Sequence, residues 1–130
     1  MSEALYIVCV TGTREKLQMA AMIASVAAAG GTPVSVFFSM NALTYFINGN
    51  AEKAPVEGEF GQMMEDNKGV PHFKQLFKMA VELGEAKLLP CSMALDLLNA
   101  AESSVDPDFS PPTGLTRFLK DAERGRLLTF

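Results

Sequence analysis

ALYIVCVTGTREKLQMAAMIASVAAAGGTPVSVFFS, residues 4–39, places two apolar runs around one alanine-rich segment. Residues 4–11 are continuous, apolar and rich in β-branched side chains, and Gly12 ends them. Such a run reads as a strand buried on both faces. Residues 15–29 read as a helix, with Thr13 as N-cap, Glu15 in the first turn and Gly30-Gly31 at the end. The alanines supply helix propensity and let the helix approach a sheet closely. Residues 33–39 are a second short buried strand, and residues 41–47 a short helix closed by Asn48-Gly49-Asn50. Strand, helix, strand, helix with short links is the order of a parallel sheet with right-handed crossovers.

Outward from this unit the pattern changes. Residues 51–69 carry Lys53, Glu57, Glu59, Glu65, Asp66 and Lys68 with Pro55 and three glycines. They read as a long exposed loop with one helical turn near Met63, either a functional loop or a tolerated insertion. Residues 72–83 are amphipathic, with Phe73, Leu76, Phe77, Ala80, Val81 and Leu83 on one face and Gly84 as the cap. Residues 86–89 are a third strand that exits through Pro90-Cys91-Ser92. Residues 93–101 follow as a helix with Ser92 as N-cap. Residues 102–113 are loop-like, residues 114–124 a last helix, and residues 126–130 a terminal strand.

A chain of 130 residues, 48% hydrophobic, suits one folded domain over residues 1–130. The net charge of −4, with no local basic patch, gives no pull toward nucleic acid or an anionic membrane. The first residues lack a positive n-region, and no run is long enough to span a bilayer, so membrane insertion is not expected. Two cysteines make neither a disulfide framework nor a zinc site, so free thiols in a cytoplasmic setting are expected. No metal or cofactor is expected: the methionines have no His or Cys at ligand spacing, and neither a G-x-G-x-x-G nor a P-loop pattern occurs.

Cys91 is the candidate for chemistry. Ligands of open parallel sheets bind outside the carboxyl ends of the strands. A thiol there meets the unpaired amides of a helix N-terminus, which favour an anion and lower a cysteine pKa from about 8.5. Such a thiolate can take up a sulfur atom and hand it on. The other reading of Cys91 is a buried structural cysteine at a helix start. Cys9, in mid-strand, reads as core. The turn Thr11-Gly12-Thr13 reads as an anion-binding wall of the same cleft. His72, the only histidine, either caps the helix beside it or serves Cys91 as a base or ion partner.

VSVFFSMNAL (residues 34–43) resembles the second-strand segment of the DsrE-like sulfur-relay proteins. KLLPCSMALD (residues 87–96) resembles the segment around that family's cysteine, and Cys-Ser-Met-x-Leu-Asp is the specific part. The match covers most of the chain and is similar to the branch often labelled peroxiredoxin-like. The resemblance implies an α/β, flavodoxin-like parallel sheet of four to five strands with helices on both faces. It implies a persulfide on Cys91, homo- or hetero-oligomers, and exchange of sulfur with a small TusA-like carrier or another thiol protein. The amides of Ser92 and Met93 would then face the persulfide, and the turns at Thr11–Thr13 and at Ser39, Met40 and Asn41 would line the cleft. Residues 103–113 are acidic and proline-rich where relatives carry an apolar strand, so the fourth strand is expected to be short or missing. Leu88 stands three residues before Cys91, where a peroxidase site needs Thr, so peroxide reduction is not expected. The alternatives are a non-catalytic module that docks a partner or small ligand, with the loop at 51–69 as its docking surface, and, by fold analogy alone, a flavin- or nucleotide-binding domain.

Overall fold

A computed structural model describes residues 3–130 of the chain. Its elements run β1 (Ala4–Cys9), α1 (Arg14–Ala29), β2 (Val34–Phe38), α2 (Met40–Leu43) with a 3-10 turn (Thr44–Phe46), α3 (Glu59–Asp66), α4 (Phe73–Gly84), β3 (Lys87–Pro90), α5 (Ser92–Leu97), α6 (Leu115–Ala122) and β4 (Gly125–Thr129). The four strands form one sheet in the order β3-β2-β1-β4, and every pair is parallel. Helices cover both faces, as the α/β reading requires.

The two faces are covered unequally. α1 and α4 pack on one face, over Leu5, Ile7, Cys9, Val34, Val36, Phe38 and Leu88, all buried. Ala20, Ala21, Ala24 and Ala28 are buried along α1, so the helix backbone lies close to its neighbours. α6 lies on the other face, where Phe118 meets Tyr6 edge to face and Phe37 at a tilt. Burial along β1 therefore alternates, with Tyr6 and Val8 half-buried. The first strand is apolar on both sides but sealed on one, because an eight-residue helix cannot cover four strands.

Several local expectations are corrected. Thr13 precedes α1 in extended conformation but makes no side-chain capping bond; its hydroxyl binds the Glu57 carboxylate instead. Gly84 is the last residue of α4 rather than its left-handed cap. A Cβ there would collide with Ala28, so the glycine serves helix packing and Glu85 takes the left-handed turn at φ 56°. The helix expected over residues 93–101 is shorter: α5 runs Ser92–Leu97, and Asn99 turns left-handed at φ 51°.

Residues 51–69 are not a free loop. They contain the two-turn helix α3 and are clamped to the start of α1. The Glu15 carboxylate accepts from the amides of Glu57 (2.8 Å) and Gly58 (2.9 Å), so a side chain of α1 caps α3. Those bonds hold the Glu15 carboxyl below its usual range. Gly61 leaves room for it: a Cβ there would sit 2.5 Å from that carboxylate and displace it from its capping position. Arg14 is buried, bonds Glu65 at 2.6 Å and Gln18, and lies over the Phe73 ring.

No fifth strand forms in the proline-rich segment, but a remnant does. Thr113 bridges Cys91 in parallel sense. The Ser110 amide donates to Leu88 O (2.8 Å), Thr113 to Pro90 O (3.1 Å), and Ser92 back to Thr113 O (3.0 Å). Pro111 and Pro112 cannot donate, which limits the pairing to these bonds and leaves a strap along the β3 edge.

Candidate functional site at the carboxyl end of the sheet

Three turns meet where the strands end. Cys91 leaves β3, Ser39 leaves β2, and Thr11 and Gly12 follow β1. Backbone bonds knit them across the sheet: Cys91 N–H to Phe38 O (2.9 Å), Ser39 N–H to Cys9 O (3.0 Å), and Ala42 N–H to Val10 O (3.3 Å). Cys91 is therefore next to the Ser39–Asn41 turn. The Thr11–Thr13 turn lies about two strand spacings away, on the order of 10 Å.

The Thr11–Thr13 turn is already occupied. A Cβ on Gly12 would lie 2.8 Å from the Asn41 carbonyl oxygen, so the glycine exists for contact between the two turns. The Gly12 carbonyl accepts from the Tyr45 hydroxyl at 3.1 Å. The Arg14 amide, first in α1, donates to Pro55 O at 2.9 Å. Residues 55–58 thus cover the helix terminus that the sequence offers to an anion.

The Ser39–Asn41 turn has a different character. Ser39 is buried, while Met40 is 55% exposed with φ 52°, a left-handed conformation uncommon for a long side chain. Met93 and Leu97 of α5, the helix that begins after Cys91, are 50% and 75% exposed.

Cys91 itself is the N-cap of α5, at φ −71° and ψ 121°, and Ser92 is the first helical residue rather than the cap. The cysteine is 5% exposed. The Ser92 amide is engaged by Thr113 O, so it does not point into open space. The amides of Met93 and Ala94 have no backbone partner among the described residues. The Thr113 strap covers the edge of β3 at this point. A cleft of about 750 Å³ opens alongside, with Pro90 and Phe109 on its floor and Glu102 and Asp106 on its wall. Burial raises the Asp106 carboxyl above its ordinary range.

Cys9 is 1% exposed in mid-sheet, and burial pushes its thiol to about 12. It stays protonated at neutral pH and cannot serve as a nucleophile. His72 caps α4: its Nδ1 accepts from the Lys74 amide at 3.2 Å, and its ring lies 4.1 Å from that of Phe73. Nothing pairs it with Cys91 among the described residues. Burial and the nearby Arg14 guanidinium lower its pKa below 6.5. A lowered pKa means that the neutral, cap-accepting form is favoured by folding. Its contribution is present above 6.5 and is lost as pH falls through the depressed value. His72→Ala should cost about 1 kcal/mol at about pH 8, and the cost should shrink as the pH is lowered below 6.5, read by urea unfolding across a pH series.

Among the described residues, no group of three or more His, Cys, Asp or Glu could hold a metal ion, and no helix is long and apolar enough to cross a membrane.

A cysteine capping a helix at the carboxyl end of a parallel, helix-flanked sheet defines the class: an α/β thiol domain. The chain belongs to the DsrE/DsrF-like family, whose model matches residues 4–130. Its fold is similar to that of the ychN protein from E. coli, with a TM-score of 0.64 at 12% identity over all of both chains. It is also similar to MTH1491 from Methanobacterium thermoautotrophicum, a protein of unknown function, with a TM-score of 0.59 at 8% identity over all of both chains. No curated protein sequence matches it.

Proposed function

We propose that the chain is a sulfur carrier that holds sulfane sulfur as a persulfide on Cys91 and passes it to the thiol of a partner protein. The observation that carries this reading is the position of Cys91, at the exit of β3 and the cap of α5, in a chain of the DsrE/DsrF-like family. The thiolate of Cys91 attacks the outer sulfur of a donor persulfide or polysulfide. The donor S–S bond breaks, a new S–S bond forms at Cys91, and the donor departs as a thiolate that takes up a proton. In the second step the acceptor thiolate attacks the outer sulfur, and the Cys91 thiolate leaves. Neither step needs an external oxidant or reductant.

The partner is a small thiol carrier of the TusA-like kind, met in the cytoplasm, and the chain works as a homo-oligomer. Met40, Met93 and Leu97 support the docking part of this reading, since exposed thioethers and Leu around a reactive centre suit a transient protein partner. The burial of Cys91 favours a second reading, in which the site is a docking module with no turnover.

Incubating the reduced chain with polysulfide and weighing it intact separates the two. Sulfur-carrier function predicts increments of whole sulfur atoms that dithiothreitol removes and that are missing from Cys91→Ser. An unmodified wild-type chain, or equal increments on Cys91→Ser, supports the docking module.

A further inference from the structure

On the sheet face that carries α6, Lys87, Ser35 and Tyr6 lie side by side across three strands. The register pairs Tyr6 with Ser35 and Ser35 with Lys87. Ser35 is the one polar residue in the strand VSVFF. Neither the Tyr6 nor the Ser35 hydroxyl bonds another group among the described residues, and both open on a cleft of about 530 Å³. That volume lies within the range of small-molecule sites, about 300–1,000 Å³.

The opposite wall comes from α6 and from Arg124 in the turn that follows it. Arg117 and Asp121 share one face of α6 at a spacing of four, and the Arg124 amide bonds the Asp121 carbonyl at 3.2 Å, which keeps Arg124 beside them. Lys120 and Arg126, neighbours in sequence, are held in ion pairs with Glu123 and Glu3. Lys87, Arg117 and Arg124 are in no ion pair among the described residues. Three cations against one carboxylate leave the cleft with two positive charges, on a chain whose net charge is −4.

Net charge and shape select the ligand. A polyanion is repelled by the rest of the surface. A guanidinium takes two oxygens of a phosphate side by side, and the Tyr and Ser hydroxyls can donate to others. Leu89 and Pro112 supply apolar wall for an organic body. We propose that this cleft binds a small organic phosphate monoester, its dianionic head between Lys87, Arg117 and Arg124 and its body against Leu89 and Pro112. Cys91 does not line the cleft, so the inference stands apart from the sulfur-carrier reading.

Calorimetric titration of the full chain with phenyl phosphate at low ionic strength tests it. One saturable site is expected, weakened about tenfold or more in Arg117→Ala/Arg124→Ala. Inorganic phosphate, which lacks a body, should bind more weakly, and succinate, a dianion of the wrong geometry, more weakly still. Both arginines are exposed, and circular dichroism checks that the double variant folds. On the wild-type chain, phenyl phosphate should shift the amide NMR signals of Tyr6, Ser35 and Leu89. No saturable binding, equal binding to the double variant, succinate or inorganic phosphate as tight as phenyl phosphate, or amide shifts confined to other parts of the chain would each overturn the proposal.

Discussion

Phe38→Ala is expected to lower the unfolding free energy by about 4 kcal/mol, the largest stability loss of any single change discussed for this chain. Phe38 ends β2 with no exposed surface. Its ring lies 4.8 Å from Phe46, 5.0 Å from Phe77 and 5.1 Å from Phe109, so one side chain joins β2 to the 3-10 turn, to α4 and to the segment before the strap. Truncation removes transfer free energy and leaves a cavity that rings from three separate elements cannot close. Its carbonyl also accepts from the Cys91 amide, so loosening here reaches the candidate site directly. Urea unfolding followed by circular dichroism measures the change. Phe38→Leu, which keeps most of the volume, should cost under about 1.5 kcal/mol. A loss below 1 kcal/mol for Phe38→Ala would mean that the aromatic cluster does not hold the sheet to its helices.

Arg14→Ala is expected to cost about 3 kcal/mol. The Arg14 side chain is 3% exposed and Glu65 is 16% exposed, with 2.6 Å between Nε and Oε1. Removing the guanidinium strands a largely buried carboxylate and leaves the Gln18 side-chain oxygen without its partner. The effect should be local as well as global. Residues 55–71 are held by Arg14, Glu15 and Gln18 of α1, so their amides should exchange hydrogen faster once the central contact is gone. Arg14→Lys keeps a charge but not the fork that reaches Glu65 and Gln18 together, and should fall between the two. Unchanged exchange across α3 in Arg14→Ala would show that the Glu15 cap alone holds the segment.

What could be read in the sequence was whatever depends on neighbours in the chain. The runs at 4–11 and 33–39 are apolar over lengths that suit strands, and both are strands. Pro90-Cys91-Ser92 marks a strand exit, and Cys91 caps the helix that follows. α3 was legible only as one helical turn near Met63, because its residues are mostly polar and charged and its N-terminal cap comes from Glu15, more than forty positions away. The same distance hid the role of Arg14: a single arginine at a helix start looks solvated until Glu65 and Phe73 close over it. Gly84 looked like a helix cap by type, but its contact with Ala28 depends on the α1–α4 packing. The cationic cleft was not legible, and the sequence shows no basic patch: Lys87 is thirty positions from Arg117, and Lys87, Ser35 and Tyr6 become neighbours only through strand register.

Sulfur transfer demands that a reagent reach the sulfur of position 91 while the protein stays folded. Cys91 is 5% exposed beneath a strap held by three backbone bonds, and Cys9 is sealed in mid-sheet, so the two thiols report different openings. Iodoacetamide under native conditions, with site-resolved mass spectrometry, should modify Cys91 while Cys9 stays intact. Modification of both cysteines together, at the rate of global unfolding, would show that the thiol is locked in the core and would rule out a persulfide carrier.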